Sequence, residues 1–113
     1  GNIAKKEFFE QMNRLRPTNN ERKRTLLIIS YLGSSIYDKI DPKIISQEKL
    51  MVNSFINQAK KEGYSVLDMK PIFLADYSRN NKKFNSPYDA HWNEYGHFVV
   101  AENILKQINL IEK

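Results

Sequence analysis

The stretch Tyr88-Asp89-Ala90-His91-Trp92-Asn93-Glu94-Tyr95-Gly96-His97 holds both histidines of the chain and is where acid-base chemistry can sit. Asp89 and His91 stand two residues apart, and in an extended or turn backbone such neighbours can point the same way. The carboxylate can then accept from Nδ1–H and leave Nε2 as a base. It would also stabilise the imidazolium formed when that base takes a serine proton, the arrangement on which Ser-His-Asp triads depend. Asn93 is placed to cap a following helix, and Trp92 to wall the site as its substrate contact or to staple the helix start. A plainer assignment stays open, with Asp89 and Asn93 as turn and cap residues, His91 as a loop histidine and Trp92 as core. His97 falls inside the helix, where a histidine is commonly a partly buried packing residue, and is not read as catalytic. A metal site from Asp89, His91 and His97 is conceivable, but these ligands make a poor one. No metal or other cofactor is expected.

The elements that must position these residues come from a chain of 113 residues, enough for one domain over 1–113 with a modest core. No apolar run approaches the length of a membrane span, and the Lys-rich start lacks the apolar segment of a signal peptide. The absence of cysteine excludes a thiol nucleophile, disulfides and thiolate metal sites without choosing a compartment. The formal charge of +5 raises nucleic-acid binding. However, the basic residues are scattered apart from Arg22-Lys23-Arg24 and Arg79 with Lys82-Lys83, so no nucleic-acid partner is expected.

Phe8, Phe9, Met12 and Leu15 predict an amphipathic helix over residues 4–15, stopped by Arg16-Pro17-Thr18-Asn19-Asn20. The apolar run from Thr25 to Tyr31 predicts a central parallel strand covered on both faces. Gly33-Ser34-Ser35 then reads as a turn, and Pro42 as a limit on helix in the residues after it. A second amphipathic helix is expected over Ser46 to Glu62, with Leu50, Val52, Phe55, Ile56 and Ala59 apolar, Ser46 as N-cap and Gly63 ending it. Tyr64 to Met69 reads as a second strand, parallel to the first across a crossover, closed by Pro71. The polar stretch from Ser78 to Pro87 reads as a surface loop, and a last helix from Asn93 to Asn109 should present Phe98, Ala101, Ile104, Leu105 and Ile108 on one side. The order predicts an α/β layer architecture whose two strands need further partners, from a preceding segment of the same domain or from another chain covering the sheet edge.

Asp89-Ala90-His91-Trp92-Asn93-Glu94-Tyr95-Gly96-His97-Phe98-Val99-Val100-Ala101-Glu102 resembles the last block of SGNH (GDSL-like) hydrolases, where an Asp and a His precede a helix opening with Asn, then Gly-His, then Ala-Glu. Upstream, Lys61-Glu62-Gly63, Val66-Leu67-Asp68 and Pro71 resemble the family's last βα stretch. Leu27-Ile28-Ile29 with Ser34, Ser35 and Tyr37 is similar to the preceding strand and loop, so the likeness covers roughly residues 25–108. The Asp-x-His spacing followed by Trp, in place of the commoner Asp-x-x-His, is more similar to the polysaccharide O-acetyltransferase-like branch related to alginate acetylation.

The resemblance implies a three-layer α/β/α flavodoxin-like fold with parallel strands. It implies an ester hydrolase or O-acyltransferase working by a serine acyl-enzyme route on an acyl ester, a carbohydrate acetyl among the candidates. Asp89 would orient, His91 would serve as base and then acid, and an extracytoplasmic location (periplasmic, envelope or secreted) would fit. The family's Gly-Asp-Ser block has no counterpart. Gly33-Ser34-Ser35 follows a strand, but a later one, and lacks the Asp, so Ser34 and Ser35 are poor nucleophile candidates. Gly1-Asn2 is either the tail of the family's Gly-x-Asn oxyanion block, with Ile3 where Asp is usual, or a cloning remnant. The expectation is the C-terminal portion of such a domain, nearly inactive alone. Two other functions stay open: a non-catalytic SGNH-like module that holds a glycan, and a basic domain that binds nucleic acid or protein.

Overall fold

The computed structural model describes residues 2–31 and 33–112. The elements run α1 (Asn2–Leu15), α2 (Asn19–Lys23), β1 (Leu26–Ile29), α3 (Ser34–Tyr37), α4 (Pro42–Lys61), β2 (Ser65–Asp68), α5 (Met69–Asn80) and α6 (Glu94–Glu112). β1 and β2 form a parallel two-stranded sheet, the pairing expected from the apolar runs and the crossover between them. The chain is thus of mixed α/β type. All four residues of β1 are half-buried rather than covered on both faces, because the strand has one hydrogen-bonded neighbour among the described residues.

Proline and short polar residues account for most departures from the sequence reading. Thr18 does not merely stop α1; its hydroxyl accepts from the Glu21 N–H and starts α2. Pro42 opens α4 instead of limiting it, since the first helical position needs no N–H and Asp41, not Ser46, is the cap. Pro71 likewise sits in the first turn of α5, a helix that takes in Met69 of the expected strand and residues 78–80 of the expected surface loop, with the Asp68 carboxylate capping it through the Lys70 N–H at 3.1 Å. Ser34 and Ser35 are in the single turn α3, not a loop.

The residues fall into two compact units. In the unit of Gly1–Leu27 and Asp41–Val66, Phe9, Ala59 and Tyr64 are buried, with Met12, Leu27, Phe55 and Val66 packed around them. Burying a side chain such as Phe9 contributes about 1.5–3 kcal/mol. α4 ends as its glycine foretells: Gly63 takes φ +98, its N–H donates to the Lys60 carbonyl, and the Tyr64 N–H donates to the Ala59 carbonyl.

In the unit of Ile28–Ile40 and Leu67–Lys113, the core is Ile36, Leu67, Met69, Phe73, Phe84, Val99 and Val100. Phe73 and Phe84 stack at 4.3 Å, an arrangement worth about 0.5–1.5 kcal/mol beyond the area it buries. α6 buries Gly96, Val99 and Val100, and of the expected stripe only Ile104 is half-buried. Phe98 and Leu105 are 61% and 63% exposed, and Ala101 and Ile108 are exposed with them. Gly96 decides this rotation, because a Cβ there would lie 2.2 Å from the Phe84 carbonyl oxygen, and only glycine lets α6 approach along that side.

Candidate active site

The segment between α5 and α6 is tied down at both ends. Asn81, in left-handed conformation at φ 53, ends α5. Asn93 starts α6 by accepting from the Gly96 N–H at 2.8 Å, while its own N–H donates to the Phe84 carbonyl at 2.7 Å and its amide to the Lys83 carbonyl at 2.9 Å. One residue therefore fixes both the helix start and the residues that precede the loop. Asn85 and Trp92 form an antiparallel bridge, and the Ser86 N–H donates to the His91 carbonyl at 2.8 Å. The Tyr37 hydroxyl donates to Asn85 Oδ1 at 2.9 Å and accepts from the Phe84 N–H, bracing the bridge from α3.

Asp89 and His91 lie at the tip of this clamped turn, and the structure brings them together. Asp89 Oδ1 accepts from the His91 N–H at 2.9 Å, and Oδ2 lies 3.1 Å from His91 Nδ1. The first contact fixes the backbone between the two residues and the second fixes the ring, leaving Nε2 as the nitrogen not taken by Asp89. Hydrogen bonds from the His91 backbone and then from its ring, with a further one from the Ser86 hydroxyl, hold the Asp89 carboxyl below its ordinary value of 3.8. The pair is open to solvent, with the His91 side chain 87% and the Asp89 side chain 53% exposed.

Trp92 is half-buried, and its indole N–H donates to Ser30 Oγ at 3.1 Å, attaching the loop to the residue that follows β1. Its ring meets His97 edge-on at 5.4 Å, which is the staple across the helix start with His97 as the partner one turn in. His97 is exposed, not the partly buried packing residue expected. Among the described residues no group of three or more metal-ligating side chains comes together. Gly1 lies outside the described residues, and with it the Gly1-Asn2 reading.

Sequence reasoning missed Ser30, Tyr37, Asn85 and Ser86, which hold the turn. Polar residues in a turn-rich stretch give no sign of which backbone group each will meet. A Ser directly after a strand facing a Trp before a helix was the one available cue. In the same unit Tyr31 donates to Asp68 Oδ1 at 2.8 Å, so the ends of both strands carry polar side chains, where parallel sheets commonly bind ligands. No helix among the described residues is long and apolar enough to cross a membrane. Comparison of the chain with family models, with curated proteins and with solved structures finds no match.

Proposed function

We propose that this chain supplies the orienting carboxylate and the general base of an SGNH-type ester hydrolase or O-acyltransferase, within a three-layer flavodoxin-like domain. The observation that carries the reading is the 3.1 Å contact of Asp89 Oδ2 with His91 Nδ1, made on a turn that is braced by the Asn85 and Trp92 bridge. In the reaction His91 Nε2 takes the proton of a serine hydroxyl as that oxygen attacks the acyl carbon. The imidazolium then gives the proton to the leaving alcohol. Water or an acceptor hydroxyl, deprotonated by the same nitrogen, breaks the acyl-enzyme and restores the serine. Asp89 holds the ring and offsets its positive charge during each transfer. Trp92, adjoining His91 and anchored to Ser30, walls the substrate side. The openness of the pair suits a large substrate such as an acetylated carbohydrate.

The test is cleavage of a chromogenic acetate by the natural protein that bears this sequence, compared with His91→Ala and Asp89→Asn. Turnover should fall on the order of 10³-fold or more in the first, with the second losing a similar or smaller factor, while thermal unfolding stays near wild type. A wild-type protein that cleaves no ester but binds glycan equally with and without the His91 side chain would replace the enzyme with a binding module.

A further inference from the structure

A groove of about 580 Å³ runs between α1 and α4, floored by Phe8, Leu50, Met51 and Phe55, with Lys5 at its wall. Leu50 and Met51 are 71% and 64% exposed there, a high exposure for neighbouring large apolar residues. Through Lys5, Leu50 and Ser54 the groove continues into a shallow shelf that reaches Lys60 and Lys61. Among the described residues no acidic side chain lines either part. The charge of the whole unit agrees. Of the 18 basic and 13 acidic residues, eleven and six lie in this unit and seven of each in the other, so the entire +5 is here. Whatever occupies the groove should be an apolar helix face with acidic edges, the pattern of helix-in-groove recognition.

The chain itself carries such a face. On α6, Phe98, Ala101, Leu105 and Ile108 are exposed at the helical spacing of groove anchors. Glu94 and Glu102, both exposed, stand one turn before and one turn after Phe98, and Glu102 lies 3.8 Å from Lys106 on the same helix. From Phe98 to Ile108 is about 15 Å of helix, and α4 from Gln47 to Lys61 offers about 21 Å. We propose that α6 of a second copy of this chain docks in the α1 and α4 groove, with Phe98 and Leu105 on Leu50, Met51 and Phe55 and with Glu102 toward the lysines. Charge favours this pairing over groove against groove, which sets lysine against lysine. Dimers and longer assemblies both contain the proposed contact.

Sedimentation velocity over a range of concentrations tests it. The wild-type chain should associate as concentration rises, and association should weaken by about tenfold or more in a groove variant (Leu50→Glu with Met51→Glu) and in a helix variant (Phe98→Lys with Leu105→Lys). All four positions are exposed, so circular dichroism should match wild type. Equal mixing of the two variants should restore a heterodimer, because one keeps the helix and the other keeps the groove. Lys60→Glu with Lys61→Glu, at the surface, should also weaken association, most at low salt. The proposal is overturned by a wild-type chain that stays monomeric throughout, including one that binds anionic vesicles as a monomer. Variants that do not complement on mixing would overturn it too.

Discussion

At the residue scale, Asp89 does two jobs with one carboxylate. Oδ1 closes a local turn on the His91 N–H, which a short polar side chain can do in a turn, and Oδ2 lies 3.1 Å from the imidazole Nδ1. The geometry of the proposed dyad is thus built from a common turn motif, which is why two residues separated by Ala90 suffice. Because the interactions favour the charged carboxylate, its folded pKa lies below 3.8. Whatever stability the turn gains is fully present above the unfolded value and is lost as pH falls through the folded one. A ¹³C NMR titration should find Asp89 titrating below an ordinary aspartate, and His91→Ala should move it back only part of the way, since the backbone N–H remains. An Asp89 that titrates at or above the ordinary value would contradict the turn.

At the element scale, two glycines make opposite use of their missing side chain. Gly63→Ala places a Cβ in ordinary van der Waals contact, 3.6 Å from Arg22 Cβ, and costs only the left-handed backbone, about 1 kcal/mol. Gly96→Ala would ordinarily strengthen a helix by about 1 kcal/mol. Here the Cβ meets the Phe84 carbonyl that Asn93 holds, so α6 must shift and the loss should be about 3 kcal/mol or more. Denaturant unfolding of the two variants checks the order. Both β1 and β2, the end of α1, the end of α4 and the cap of α6 were legible in the sequence, because each is written in local residues: an apolar run, a helical stripe stopped by Arg-Pro, a Gly after Lys-Glu, an Asn before Glu. What was illegible depended on context. A Pro reads as a breaker until a cap is found ahead of it, as Asp41 and Asp68 prove for α4 and α5. The apolar residues of α6 outnumber what one face can bury, and Gly96 against Phe84, a contact across twelve residues of sequence, chose Val99 and Val100 over Phe98 and Leu105.

At the scale of the whole molecule, charge and chemistry are divided. The unit of Gly1–Leu27 and Asp41–Val66 holds all the net charge and the apolar groove, whereas the unit of Ile28–Ile40 and Leu67–Lys113 is neutral and holds the Asp89 and His91 pair. A basic composition therefore says nothing about the candidate active site, and an acidic partner should meet the first unit. The proposed role of His91 as a general base needs one thing more, a serine to activate. Labelling the natural protein with a fluorophosphonate, followed by mass spectrometry, asks for that serine directly. One serine should take up the reagent, and His91→Ala, still folded, should slow labelling on the order of 10³-fold, because the hydroxyl has lost its base. A folded wild-type protein that takes up no reagent, or one labelled as fast without the His91 side chain, would contradict the assignment of His91 as a general base.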